Sequence, residues 1–131
     1  MKKIIITTLS LGMLLMDSCV KDTTLIIKKE PAPITKTVYF SKDLVPIFSK
    51  NCAVSGCHAT GGQKPDLSAD KAYSSLMNDP DFVNIKDPTS SELYGRLTGK
   101  ITPAMPMGKA NNPSNINSLV LAWMKQGAKK N

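Results

Sequence analysis

The residues best equipped for chemistry lie in the stretch NCAVSGCHATGG (51–62), where Cys52 and Cys57 are separated by four residues and His58 directly follows the second cysteine. Two thiols beside an imidazole suit covalent haem attachment, a disulfide loop or part of a zinc site. Covalent attachment needs two thiols that meet the vinyl groups on one porphyrin edge, and a histidine whose ring lies under the iron. A histidine immediately after the second cysteine meets that need, because the thioether fixes the backbone beside the macrocycle; this is the logic of C-x-x-C-H. Here two further residues must bulge out. Ala53, Ser55 and Gly56 are small, and Gly56 accepts positive φ.

The competing readings explain less. A disulfide uses both thiols but leaves His58, the only histidine of the chain, as a coincidence. Zinc would find three ligands, two of them adjacent, and no further Cys or His nearby to close a tetrahedron. A Cys–His nucleophilic pair is disfavoured because sequence neighbours do not face each other, and the oxidants of an exported compartment would join a second nearby thiol to the first as a disulfide. Haem attachment leads, with the disulfide as its main rival.

A six-coordinate iron needs a second axial ligand, and without another histidine the choice falls on methionine. In TPAMPMGK (102–109) Met105 stands between Pro103 and Pro106, which restrict the backbone and hold the side chain out from a loop. Met105 is the expected distal ligand, and Met107, before Gly108, is its rival. Met77 and Met124 fall on apolar helix faces and are expected to be packing residues.

The elements that must position these groups belong to an exported chain. Met1-Lys2-Lys3, the apolar run Ile4 to Met16 and then Asp17-Ser18-Cys19 form a charged start and a short hydrophobic segment. Thirteen residues are too few for a helix crossing a hydrocarbon core that needs about 20, so residues 1–18 are an export signal. The ending Leu15-Met16-Asp17-Ser18-Cys19 resembles the lipobox of bacterial lipoproteins, with Asp17 where a small neutral residue is usual. The resemblance implies lipidation of Cys19, which removes the odd thiol among three cysteines and leaves Cys52 and Cys57 as a pair. Without residues 1–18 the chain keeps 15 Lys/Arg against 9 Asp/Glu. The lysines are scattered, with no aromatic-interleaved basic stripe, so the excess points to solubility and acidic partners and not to nucleic acid.

Residues 19–37, polar and charged with Pro31 and Pro33, are expected to be a tether, although Leu25-Ile26-Ile27 could form an edge strand. Residues 38–131 then form one domain without internal repeats. Four helices are expected. The first spans 41–51, capped by Asp43 with Pro46 in its first turn, and runs straight into Cys52. The second spans 69–78, capped by Ser68, and the third 91–97, capped by Ser90 and stopped by Gly99. The fourth and strongest spans 114–126: Ile116, Leu119, Val120, Trp123 and Met124 share one face, Asn112-Pro113 or Ser114 precedes it, and Gly127 ends it. No sheet pattern competes, since TVYF and FVNI are too short. The carboxylates of Asp79, Asp81 and Asp87 read as turn formers and not as a calcium site. Four short helices with few aromatics make a small core, and such domains usually need a staple or a cofactor.

Taken together, Asp43-Leu44-Val45-Pro46-Ile47-Phe48, Asn51-Cys52-x4-Cys57-His58, Ser91-Glu92-Leu93-Tyr94-x-Arg96-Leu97, Met105-Pro106 and Leu121-Ala122-Trp123-Met124-x-Gln126-Gly127-Ala128 resemble the mono-haem c-type cytochrome domains of exported Bacteroidota and Planctomycetes proteins, which are similar to class I cytochromes c. The resemblance covers nearly all of 40–128. It implies an all-α fold, a small class I cytochrome c-like domain of about four short helices around one covalently attached haem c. It also implies thioether bonds at Cys52 and Cys57, His58 as proximal iron ligand, a distal methionine from the Met-Pro turn, and first and last helices packed together. Members often continue Met-Pro with a second proline; here Met107 stands there.

The function expected is that of a monomeric, lipid-anchored carrier of single electrons, not an enzyme, meeting acidic redox proteins at the outer membrane, on its periplasmic or surface face. Filled axial positions suit electron transfer better than O₂ chemistry. The alternatives are a five-coordinate haem sensor or peroxidase-like protein, and a haem-free lipoprotein with a Cys52–Cys57 disulfide. An enzyme would lack a distal histidine. Arg96, the only arginine, could be a distal donor, but on its helix it reads as a solvated or propionate-facing residue.

Overall fold

A computed structural model describes residues 33–108 and 114–131. Cys19, the signal 1–18, Leu25-Ile26-Ile27, most of the tether and the Asn112-Pro113 start of the last helix lie outside the described residues. Among those described, all regular structure is helical and there is no strand, so the described domain is all-α. The four helices are α1 (Val45–Asn51), α2 (Ala72–Met77), α3 (Glu92–Thr98) and α4 (Ser114–Lys125). No helix among the described residues is long and apolar enough to cross a membrane.

The first helical segment begins earlier than expected. A π turn over Phe40–Leu44 runs directly into α1. Asp43 does not occupy the capping position; it sits inside this turn and reaches back, its Oδ2 accepting the Tyr39 N–H at 2.8 Å. An amide at the exposed start of the segment is satisfied all the same, from the far side of the turn. Pro46 lies in the first turn of α1, where no intrahelical N–H is lost.

Two expected serine caps are corrected. Ser68 does not cap α2, which starts only at Ala72; its hydroxyl instead accepts the Thr60 N–H at 3.0 Å. Ser90 lies in a 3₁₀ turn (Pro88–Ser90), and Ser91 holds the capping position of α3. The Ser91 side chain is fully buried and accepts the Asn84 N–H at 2.8 Å, so it serves a neighbouring loop and not its own helix. A hydroxyl accepts from whichever amide the packing brings near, and local capping is only one choice. The stops hold: Gly99 (φ +77) follows α3 and Gly127 (φ +92) closes the turn after α4, conformations that glycine adopts without a Cβ penalty.

The core gathers where the two ends of the domain meet. Trp123 of α4 packs on Phe40 with ring centroids 5.1 Å apart, and Phe40 also meets Tyr73 (5.2 Å) and Phe48 (6.1 Å). Leu44, Phe48, Leu76, Val120 and Met124 are buried with them. Met124 is thus a packing residue, as its helix face implies, and Met77 packs half-buried against the same cluster. The first helical segment and α4 are in contact, the pairing the resemblance implies.

Polar side chains lock this seam. Gln126 accepts the Val38 N–H at 2.9 Å through Oε1 and donates through Nε2 to the Lys36 carbonyl at 3.0 Å. Asn131 does the same one step along, accepting the Phe40 N–H at 2.8 Å and donating to the Val38 carbonyl at 3.4 Å. An extended segment that would otherwise present bare amides beside the core is paired by two amide side chains. The Trp123 Nε1–H donates to the Lys129 carbonyl at 2.9 Å, so the buried indole leaves no donor unpaired.

Candidate functional site

The cysteine loop grows out of α1. The N–H groups of Cys52 and Ala53 both donate to the Phe48 carbonyl, each at 2.8 Å, so the last turn of the helix sets the first thiol. The next four residues close into a turn: the Cys57 N–H donates to the Val54 carbonyl at 2.9 Å, with Gly56 at φ +78 in the third position. That is a type II turn, which demands positive φ at that position. The His58 N–H then returns to the Cys52 carbonyl at 3.1 Å. The residues in excess of a two-residue spacing are looped out, and the backbones of Cys52 and His58 meet across the loop.

A second turn follows at once. The Gly62 N–H donates to the Ala59 carbonyl at 2.8 Å, and Gly61 takes φ +83. The Gln63 N–H donates to the Cys57 carbonyl at 2.7 Å. Gly62 is needed for a different reason, close approach: a methyl there would overlap the Cys57 carbonyl oxygen and lie 3.0 Å from that of Ala59. Cys57 is exposed, Cys52 is half-buried, and no disulfide joins them.

His58 is half-buried and oriented by a main-chain acceptor, its Nδ1 lying 3.0 Å from the Pro65 carbonyl oxygen. A carbonyl only accepts, so Nδ1 carries the hydrogen and, in the neutral ring, Nε2 keeps its lone pair for a ligand. The acceptor is held by a return strand of loop: the Leu67 N–H donates to the His58 carbonyl at 2.8 Å, and the Thr60 N–H to Ser68 Oγ at 3.0 Å. Asp66 braces this return. Its Oδ1 accepts the Ser68 N–H at 3.0 Å, and its own N–H donates to Ser75 Oγ on α2 at 2.8 Å. The Ser68 hydroxyl and then the Ser68 N–H lower the Asp66 carboxyl below its ordinary range, against some rise from burial and with smaller help from Thr60 and Lys71.

The methionine loop is fastened to a different element. After Gly99 the chain folds back on α3, with the Ile101 N–H donating to the Gly95 carbonyl at 3.1 Å and the Met105 N–H to the Arg96 carbonyl at 2.9 Å. Arg96 Nη1 also donates to the Pro103 carbonyl at 3.3 Å, while Nε and Nη2 grip Glu92 Oε1 at 3.0 and 2.8 Å. Arg96 is therefore not simply solvated: it clasps the loop that carries Met105. Gly95 lets Ile101 lie against α3, since a Cβ there would come within 3 Å of the Ile101 side chain. Met105 is half-buried, whereas Met107 is 70% exposed.

The remaining acidic residues do local work. Asp79 accepts the Asp81 N–H, and Asp87 accepts from the N–H and hydroxyl of Thr89, so both are turn formers. Among the described residues no group of three or more His, Cys, Asp or Glu side chains comes together as a metal-ligand cluster. Two surface grooves, one between Val38 and Trp123 and one between Asp81 and Ile101, include none of Cys52, Cys57, His58, Met105 or Met107.

The residues invisible to a reading of types and spacings are Pro65 and Arg96 in their actual roles. Pro65 acts through its carbonyl, which every residue has, so its identity carries no signal. Arg96 acts through a loop seven residues on. Set against protein-family models, curated proteins and solved structures, the chain matches none of them.

Proposed function

We propose that the chain is a lipid-anchored, mono-haem c-type cytochrome that carries single electrons between exported partners. The observation that carries this reading is the His58 Nδ1 bond to the Pro65 carbonyl, 3.0 Å, on the residue directly after a thiol. Metal-ligating histidines typically spend their other ring nitrogen on such an acceptor, which fixes the tautomer, orients the ring and raises the basicity of the ligating nitrogen. A disulfide loop would give the imidazole no reason to be oriented in this way.

The donor set fits haem c. Cys52 and Cys57 would hold it through thioethers, and His58 Nε2 and the Met105 sulfur would be its iron ligands, with Met107 as the alternative. Haem c bound by histidine and methionine supplies a one-electron iron couple of raised potential. The chain's own part is to keep the ligands still: the Val54–Cys57 turn spaces the thiols, the Pro65 carbonyl holds the imidazole, and Arg96 fastens the methionine loop. Lipidation of Cys19 would keep the domain near a membrane, and the positive balance of the chain favours acidic redox partners.

The test is expression with a cytochrome c maturation system, followed by a pyridine haemochrome spectrum of the denatured protein. Covalent haem in the wild type, lost in Cys52→Ala/Cys57→Ala, is the expected result. A chain that leaves the maturation system without covalent haem sinks the proposal, and rapid CO binding by the reduced protein would reassign it to a five-coordinate sensor.

A further inference from the structure

The seam that joins the two ends of the domain is also where its positive charge concentrates. Residues 34–43 and 121–131 carry Lys36, Lys42, Lys125, Lys129 and Lys130 against a single carboxylate side chain, Asp43, whose Oδ2 is engaged with the Tyr39 N–H. The hydrogen bonds of the seam bring the two segments side by side: Gln126 to Val38 and Lys36, Asn131 to Phe40, and the Ser41 N–H to the Asn131 carbonyl at 2.9 Å. Lys129 lines one groove with Thr35, Thr37, Val38 and Trp123. The two ion pairs among the described residues, Lys71–Asp66 and Arg96–Glu92, lie outside the seam.

Two aromatic rings stand among these lysines. Lys42 Nζ sits 5.3 Å from the centroid of Tyr39, which is 43% exposed, and Lys130 Nζ lies 5.6 Å from that of Tyr73. An exposed tyrosine flanked by lysines is the combination that partitions into the headgroup layer of a bilayer, where an amphipathic ring and ammonium groups each find their preferred surroundings. The chain also enters the domain here. Ile34 packs on the core and the Lys36 carbonyl is tied to Gln126, so the segment that leads back to Cys19 leaves from this face. The residues between Cys19 and Pro33 span at most about 50 Å even fully extended.

We propose that this lysine–tyrosine face, centred on Lys36, Lys42, Lys129, Lys130 and Tyr39, docks onto an anionic lipid bilayer. The inference rests on the lipid-anchor part of the proposed function and not on the haem. A lipid-modified Cys19 on a short leash would hold the domain near the bilayer, and a polybasic face next to the leash would then set which side turns toward it. Each lysine near an anionic surface contributes a factor of about five to the association, and the attraction fades within a Debye length as salt rises. A docked seam leaves the rest of the surface open to protein partners.

The experiment uses the lipidated protein inserted into vesicles of phosphatidylcholine alone or mixed with phosphatidylglycerol, with lysine acetylation by a brief reagent pulse read by peptide mass spectrometry. In the anionic vesicles at low salt, acetylation of Lys36, Lys42, Lys129 and Lys130 should slow by about fivefold or more. Lys86 and Lys100 should react at the same rate in both vesicle types, and high salt should erase the difference. In the variant K129E/K130E the protection of Lys36 and Lys42 should disappear. Equal rates in the two vesicle types, or protection of Lys86 and Lys100 as strong as that of the seam, overturns the proposal. Failure of the anchor is seen separately, as a protein that does not float even with phosphatidylcholine vesicles and an N-terminal peptide without added lipid mass.

Discussion

Arg96 holds Met105 from two directions: its carbonyl accepts the Met105 N–H at 2.9 Å, and its guanidinium reaches past to the Pro103 carbonyl at 3.3 Å. The main-chain bond survives any substitution at 96, but the guanidinium clasp does not. The Arg96–Glu92 pair is about a third exposed on both sides, so the ion pair itself adds only about 0.3–0.5 kcal/mol. Arg96→Met should therefore leave stability nearly unchanged while loosening the methionine loop. In the haem-loaded protein, the long-wavelength ferric band that reports sulfur ligation should vanish at a lower pH than in the wild type. An unchanged pH profile would show that the clasp does not act on the ligand.

Met105 and Met107 differ sharply in setting, one half-buried with its amide anchored and the other 70% exposed. Met105→Ala should abolish the long-wavelength band and open the reduced iron to CO, with Met107→Ala retaining the band. The reverse pattern would transfer the ligand role to Met107.

Gly62 and Gly56 are both in the cysteine loop but are glycines for different reasons. An added methyl at 62 collides with the Cys57 and Ala59 carbonyls, while at 56 it meets nothing and suffers only the positive φ. Gly56→Ala should cost about 1 kcal/mol through the backbone alone. Gly62→Ala must displace backbone next to the second thiol, which costs about 1–3 kcal/mol, and it should also lower the yield of covalent haem. Denaturant titration and the haemochrome yield separate the two effects.

The lowered Asp66 carboxyl has a consequence for acid stability. Its folded pKa lies below the unfolded value, so its contribution is fully present above the unfolded pKa and is lost as pH falls through the folded one. Asp66→Asn should thus be less stable than wild type at neutral pH, with the difference shrinking to nothing at strongly acid pH. Because Asp66 braces the loop whose Pro65 carbonyl orients His58, the same acid range should loosen the orientation of the His58 ring. A stability difference independent of pH would contradict this account.

Much of the framework was legible from residue order because its causes are local. The apolar face of α4, the stops at Gly99 and Gly127, the positive φ of Gly56 and the approach of the first segment to Cys52 follow from side-chain periodicity and from what glycine and proline permit within a turn. The adjacency of Cys57 and His58 is likewise a property of the chain itself. Where Ser68 and Ser91 would spend their hydroxyls was not legible, nor was the start of α2, because a short acceptor bonds the nearest amide and tertiary packing decides which amide that is. The same holds for the contacts that matter most to the candidate site. The Pro65 carbonyl on His58, the Arg96 clasp on the methionine loop and the Gln126 and Asn131 side chains along the Val38 segment join residues from seven to more than ninety positions apart. Backbone carbonyls carry no residue-type signature and long-range pairing leaves no period, so only the folded chain could decide them.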